Sequence, residues 1–426
     1  MAGGLMQLVA YGAQDVYLTG SPKVTFFQAV YKRHTNFAME NIEQVVNGSS
    51  GNGARLSVTV ARNGDLIGEM YLEMTATTGL AALSTLVGTA TSVEWVAERA
   101  VADVELTIGG QRIDKHYQKW WRLYSELYLS GDKKAQYAKM ATTGTVGGKV
   151  YLPLMFFFNR NPGLYLPLIA LQYHEVRLDI TLSSVYATYF STNSVKVWGN
   201  YCYLDTEERR RFAQKGHEYL IEQVQHTGVD TVTAGTGKQV RLSYNHPIKE
   251  LVWCFSATGS AATGSDMWCT TSANGASLFP VLDTTAVTGQ GLDGLAAPAF
   301  KTGTIAAVQE ELATLSGVAH GGPMEAFKLI LNGQDRFKEQ DGKYFNQVQP
   351  FYHHSGNPYA GIYSYSFALK PEEHQPTGTC NFSRIDNAQV EIKQKANSQN
   401  NNLHMFAVNY NVLRIASGMG GLAFSN

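Results

Sequence analysis

The sequence is short of charge. Lys, Arg, Asp and Glu supply 16% of its 426 residues, against about 25% in an average soluble domain. The signs nearly cancel, 34 basic residues against 35 acidic, so no field draws the chain onto nucleic acid and no direct nucleic-acid contact is expected. Cysteine is scarce too: Cys202, Cys254, Cys269 and Cys380 form no CxxC pair and suggest no disulfide framework. They read as free, mostly buried thiols of a chain assembled in a reducing compartment. A secretory pattern is missing from the N-terminus, because no basic residue precedes Lys23 and Asp15 interrupts the apolar stretch. The most membrane-like run, Tyr151 to Tyr173, is broken by Asn159-Arg160-Asn161-Pro162. Two short strands flanking a turn are expected there, in a soluble protein that does not span a membrane.

Catalytic and cofactor motifs are equally lacking. Gly147-Gly148-Lys149 and Gly237-Lys238 invite a phosphate-loop reading, but Thr143 and Val232 stand where the motif needs glycine. Val150 and Gln239 then follow the lysines where Ser or Thr is required. There is no HExxH or GxSxG. Of the eleven histidines only His353-His354 are adjacent. Neighbours on a strand point to opposite faces, so the pair is a poor metal site and is expected in a surface loop. His174-Glu175 and His217-Glu218 could be cast as base and orienter, yet no nucleophile sits at a readable spacing. Glu310-Glu311 and Glu372-Glu373 read as solvated loop charges. Asn47 and Asn381 satisfy the glycosylation sequon and are the candidate modification positions. Without a secretory signal both read as structural. No enzyme activity, cofactor or metal is expected.

What is present is β pattern, and it is present twice. Val104 to Gln111 alternates apolar and polar residues into Gly109-Gly110; Phe327 to Gln334 does nearly the same into Asn332-Gly333. Glu175 to Ile180 matches Gln389 to Ile392 with Val176 over Val390, and Pro162 matches Pro376 at the same spacing. Two matches in one chain order argue for two copies of a β fold. Leu56-Val58-Val60 and Val176-Leu178-Ile180-Leu182 alternate with polar residues, as strands with one buried face do. Asn63-Gly64, Gly109-Gly110 and Asn332-Gly333 supply the positive-φ residues of tight hairpins. One helix is expected over Gln118 to Tyr128, where Trp120, Trp121, Leu123, Tyr124, Leu127 and Tyr128 recur at three- and four-residue steps. Segments 76–92, 130–149, 227–238 and 256–325 are rich in small residues and read as loops. The dense charge cluster at 205–217 marks the expected domain boundary. Residues 25–211 and 212–426 then form two domains, the second carrying the 256–325 insertion. Residues 1–24, with Gly3, Gly4, Gly12 and Gly20, read as an arm rather than a core.

Several segments together resemble one family. Gln7 to Asp15, Leu18-Thr19-Gly20 and Tyr31 to Ala38 are similar to the opening of major capsid proteins of large icosahedral double-stranded-DNA viruses, especially those of algae and other protists. Ile108 to Tyr117, Leu166 to Val176, Leu331 to Phe337, Ser366 to Pro371, Cys380 to Asn387 and Asn409 to Ala423 fit the same family in order. The resemblance implies an all-β chain of two consecutive eight-stranded jelly rolls. It implies a homotrimeric, pseudo-hexagonal capsomer, assembled in the host cytoplasm, that tiles the virion shell. The implied partners are the chain itself, neighbouring capsomers, and minor capsid, cement and penton proteins, with an internal membrane possible beneath the shell. It also places the arm on the inner face, with Leu5, Leu8, Val9 and Tyr17 as anchors on neighbouring subunits or minor proteins.

Two other classes compete. A carbohydrate-binding sandwich would use loop aromatics such as Trp268 or Tyr359 as stacking platforms. A cupin-like enzyme would need clustered His and carboxylate ligands, and no HxH pair exists in the sequence.

Overall fold

Alternating burial along the strands builds four antiparallel sheets. The computed structural model describes residues 35–77, 96–141, 147–257, 322–358, 361–395 and 400–424, with a few isolated positions before residue 35. The first sheet runs β1 (Phe37–Gln44), β10 (Lys196–Leu204), β4 (Leu66–Thr75), β7 (Lys149–Pro153), with β8 (Leu166–Pro167) also on β4. The second runs β2 (Val46–Asn47), β3 (Arg55–Thr59), β9 (Val176–Leu182), β5 (Val101–Ile108), β6 (Gln111–Tyr117). The third runs β11 (His217–Val232), β20 (Asn401–Ala416), β13 (Pro247–Ala257), β17 (Ile362–Ser366). Two short strands, β18 (Cys380–Asn381) on β13 and β21 (Met419–Leu422) on β20, extend it. The fourth runs β12 (Gly237–Arg241), β19 (Ala388–Gln394), β14 (Met324–Leu331), β15 (Gln334–Asp335), with β16 (Gln340–Asp341) also on β14.

Leaving aside the short β2, β8, β16, β18 and β21, each half has eight principal strands in the same arrangement. Numbered in chain order within a half, they pair 1-8-3-6 in one sheet and 2-7-4-5 in the other. That is the jelly-roll order, with two sheets packed over one core and connections that cross between them. The chain is a double jelly roll.

The duplication extends to register. Leu106 pairs with Leu178 and Leu329 with Val390. Near the other end of each pair a bulge falls between Val101 and Asp103, and between Met324 and Ala326. The hairpins agree as well: Gly109 and Gly110 have φ of 59° and 82°, Asn332 and Gly333 of 50° and 80°. These are the positive values a two-residue turn needs to match strand twist. Leu106 is therefore equivalent to Leu329, but the equivalent of Val176 is Ala388. The Val176–Val390 match is two residues out of register. A two-residue slip keeps every side chain on its own face, so alternation alone could not detect it.

Other expectations need correction. Residues 131–141 form a helix, and 227–232 belong to β11, which stays paired to β20 across a bulge between His226 and Val229. Asn63-Gly64 is no hairpin: β3 and β4 lie in different sheets. Gly64 is needed for close approach, because a Cβ there would stand 2.9 Å from the Tyr201 Cβ. The apolar run after Tyr151 contributes β7 and β8, but a short helix, Phe157–Arg160, lies between them. Among the described residues no helix is long and apolar enough to cross a membrane. Most of 256–325 lies outside the described residues, as do Glu310, Glu311, Trp268, Tyr359 and Cys269.

The first core is largely aliphatic, with Val58, Ile67, Leu72, Val104, Leu106, Leu152, Leu178 and Val197 fully covered. Ile221, Leu413 and Ile415 from the second half also enter it. The second core is ringed by aromatics: Trp253 stacks on Phe327 at 4.4 Å and Phe345 meets Phe327 at 4.8 Å.

Candidate functional site: the seam between the halves and its unmatched counterpart

Between the fifth and sixth principal strands each half inserts a helix. In the first half this is α1 (Gln118–Leu127), the helix expected from its spacing, followed by α2 (Gly131–Ala141). The strongly amphipathic α1 buries Trp121 in its own core and turns Trp120, Leu123 and Leu127 onto the other half. There they meet Val252 and Cys254 of β13, Ile362 of β17, and Phe406 and Val408 of β20. Full burial of each such side chain is worth about 1.5–3 kcal/mol.

The C-terminus of α1 leaves carbonyls without helical partners, and the second half supplies donors. Gly356 N–H donates to Leu127 O at 2.8 Å and Ser355 Oγ to Tyr128 O at 3.2 Å. Lys134 Nζ of α2 donates back to Asn357 O. A Cβ on Gly356 would lie 2.3 Å from Glu126 O and 2.4 Å from Leu127 O, so no side chain fits there.

Buried charge ties the same seam. Arg160 of the first half meets Glu222 of β11 at 2.9 Å, and Lys249 of β13 meets the other Glu222 oxygen at 2.7 Å. Burial pushes the Glu222 carboxyl up, but Arg160 and Lys249 outweigh it and hold the group below the usual range. His354, beside Tyr128 with ring centroids 5.2 Å apart, lies 3.1 Å from Glu250 and 3.4 Å from Glu372. Burial favours the neutral ring, but the two carboxylates prevail and raise the imidazole to about 9. His354 was expected in a surface loop; its side chain is instead fully covered. An apolar burial would expel its charge, and the paired carboxylates retain it. Of the two glutamates expected to be solvated, Glu373 is, paired to Lys370, whereas Glu372 turns to His354.

A second charged nest sits under α1. Arg122 contacts Glu98 and Glu126, Lys134 pairs with Glu126, and the Tyr137 hydroxyl donates to Glu98 at 2.6 Å. Burial raises the Glu98 carboxyl to about 7 despite these partners. The nest holds the turn before β5, α1 and α2 together.

The corresponding helix of the second half is a π turn, Tyr344–Val348, running into α4 (Gln349–His353); α3 (Thr206–Gln214) lies earlier, between β10 and β11. Tyr344 and Phe345 face the core, but Phe351 and Tyr352 are 80% and 72% exposed, with Leu369 beside them at 73%. His353 Nδ1 lies 3.0 Å from Leu369 O, which fixes the patch. The first sheet has an outward face to match. Trp198 pairs across from Tyr71, Tyr151 lies across from Glu73, and the Tyr71 and Tyr151 rings meet edge-on at 5.8 Å. All three aromatics are only part-buried.

The remaining sequence candidates do not converge. Lys149 opens β7 and pairs with Glu73; Lys238 lies in β12 and pairs with Asp230. His174 Nδ1 is held against the Gly420 backbone and His217 Nε2 against Phe212 O. Asn47 is exposed in β2. The Asn381 side chain accepts from Ser383 N and caps a 3₁₀ turn. Leu5, Leu8, Val9 and Tyr17 lie outside the described residues. Among the described residues no three His, Cys, Asp or Glu side chains could hold a metal ion. Of the seam residues, Glu222, Lys249 and Glu250 went unmarked in the sequence. Their only signal was charge inside otherwise apolar strands.

Comparison with known proteins decides the family. A sequence model described as "Major capsid protein N-terminus" matches residues 25–205, and one described as "Large eukaryotic DNA virus major capsid protein" matches 208–421. The chain belongs to the major capsid proteins of large eukaryotic DNA viruses. It is 44% identical to the major capsid protein of Paramecium bursaria Chlorella virus 1 and 40% identical to that of Phaeocystis pouchetii virus, over 100% of each chain. Among solved structures it is similar to the PBCV-1 VP54 crystal structure fitted into a virophage Sputnik reconstruction. The TM-score is 0.76 at 38% identity, covering 94% of this chain and 100% of that one. The seam packs the two jelly rolls of this capsid protein against one another.

Proposed function

We propose that this major capsid protein works as a homotrimer whose six jelly rolls form a pseudo-hexagonal tile of the icosahedral shell. One observation carries the reading. The inserted helix of the first half is buried on the second half's β11-β20-β13-β17 sheet, while that of the second half presents Phe351 and Tyr352 to solvent. The equivalent sheet of the first half, β1-β10-β4-β7, carries part-buried Tyr71, Tyr151 and Trp198 on a face that no inserted helix covers among the described residues. Repeating the intrachain packing between copies joins helix to sheet three times and closes a ring. Such an interface should bury more than about 2,000 Å² per subunit pair, as obligate contacts do.

In this reading the lobes are residues 25–211 and 212–426, and residues 1–24 form an arm on the inner face. Leu5, Leu8, Val9 and Tyr17 anchor that arm to neighbouring subunits or to minor capsid, cement and penton proteins. Assembly in the host cytoplasm agrees with the free thiols Cys202 and Cys380. The role is structural, with no catalysis. Negative-stain images of the purified protein test it: six-lobed particles of trimer mass are expected, and single two-lobed particles would refute it. A variant lacking residues 2–20 should form trimers yet fail to assemble shells.

A further inference from the structure

Two imidazoles lie at the edge of the apolar contact that receives α1. Along β20, His404, Phe406 and Val408 alternate onto the face of the sheet that meets α1, and β11 puts Val224 and His226 on the same face. Phe406 and Val408 take the contact with α1. His404 and His226 continue the row past it, their rings stacked 6.1 Å apart with planes 11° from parallel. The His226 ring also lies 4.6 Å from that of Phe406 and 4.9 Å from that of Tyr117, which ends β6 in the first half. His226 is half-buried and lines a polar cleft of about 470 Å³ between β6 and β11, so protons reach it from solvent. His404 Nε2 is 2.9 Å from Ser256 Oγ of β13, whereas His226 Nε2 is buried without a hydrogen-bond partner among the described residues.

Both positions resist a proton. Burial disfavours the charged ring, and the Lys119 ammonium in the first turn of α1 opposes it further. His226 is pushed down to about 4 and His404 well below its ordinary value, where His226 itself adds to the opposition. The other ionisable groups around the rings bring no relief. Across the cleft Arg112 and His246 are basic, Asp114 is engaged by His116 at 3.0 Å, and Lys115 by Asp103 at 3.3 Å. Asp230, further along β11, is paired to Lys238. His354, on the same seam, keeps its charge because Glu250 and Glu372 face it. In their place His404 has a serine hydroxyl, and His226 has aromatic rings.

We propose that His226 and His404 form an acid-sensitive latch between the jelly rolls: the seam is closed while both rings are neutral, and acid loosens it by charging them. Two new charges beside Lys119 would be held in a poorly solvated place without carboxylates, so β6 and the start of α1 part from β11 and β20 to let water in. Both folded values lie below the ordinary 6.5, so the latch's contribution is fully present above pH 6.5 and is lost as pH falls through about 4. His354 limits the same seam from the alkaline side. The latch works within one chain and does not depend on how copies assemble.

Amide exchange of the purified full-length protein, stepped from pH 7 to pH 4 and corrected for the intrinsic rate, tests this. Protection over residues 113–121 should fall first on the acid side, while β4 stays protected. In His226→Gln/His404→Gln the midpoint of that loss should move down by about half a pH unit or more, because neutral amides take up no proton. Lys119→Glu should move it the same way, since a carboxylate beside the rings lets them be charged in place. An added surface carboxylate would otherwise make the fold more sensitive to acid, so this variant separates the latch from general acid unfolding. Loss of protection at one pH throughout the chain, or an unchanged midpoint in either variant, would overturn the proposal. If the double histidine variant does not fold, Lys119→Glu decides alone.

Discussion

The helices inserted into the two halves occupy the same place in the same fold and have opposite surroundings. In α1, Trp120 is 2% exposed and Leu123 and Leu127 are fully covered by the second half. In α4, Phe351 and Tyr352 form an edge-on pair at 5.2 Å in the open. The difference teaches what a duplicated capsid chain leaves unfinished. The first helix finds its sheet within the chain; in the proposed trimer the second, with the same kind of surface, finds its sheet in another copy. Scattered exposed apolar residues are ordinary; paired aromatics on the pseudo-equivalent of a buried contact are what the proposed interface rests on.

Removing the buried side of this comparison should cost most. Trp120→Ala opens a cavity against Phe406, 5.8 Å away ring to ring, and should lower the stability of the folded chain by about 3–5 kcal/mol in urea unfolding. Equal stability to the parent would mean that the halves do not depend on α1.

The charge at His354 should weaken the seam at high pH. Its folded pKa of about 9 lies above its ordinary 6.5, so its contribution is fully present below pH 6.5 and is lost as pH rises through 9. The expected loss is about 3 kcal/mol across that window. His354→Gln should flatten that part of the stability profile, measured by unfolding at stepped pH. A parent protein equally stable at pH 6 and 9.5 would contradict the pairing with Glu250 and Glu372.

Gly356→Ala sharpens the account of how α1 is finished. The added methyl meets the carbonyls of Glu126 and Leu127, so segment 354–357 must back away and release its hydrogen bond to Leu127 O. About 1–3 kcal/mol of destabilisation is expected, with faster exchange of the Gly356 amide. The smallest effect belongs outside the seam. Asn381→Ala removes a cap from a short turn and should cost about 0.5–1 kcal/mol, leaving oligomer mass unchanged.

Much of this was legible in the sequence because local chemistry dictated it. The Gly109-Gly110 and Asn332-Gly333 hairpins announced themselves by residues that accept positive φ. The span of α1 followed from its apolar spacing. The second repeat was misplaced by two residues because strands have a period of two and ends of similar character. Helix α2 was missed because only Tyr137 and Ala141 are buried in it, which leaves little apolar periodicity to read. The end of β11 was hidden by Gly228, whose φ of 120° belongs to a bulge rather than a loop. His354 was misread because Glu250 and Glu372, which keep it charged in the interior, arrive from β13 and a distant turn. Sequence neighbours cannot report such partners.

The central claim is that α4 makes between copies the contact that α1 makes within the chain. Sedimentation equilibrium at micromolar concentration, on the parent and on Phe351→Glu/Tyr352→Glu, tests it most directly. The parent should behave as three chains, and the double variant as a single chain with the parent's far-ultraviolet spectrum and no loss of the seam's His354-dependent pH profile. A parent that sediments as a stable monomer, or a double variant that remains trimeric, would contradict it.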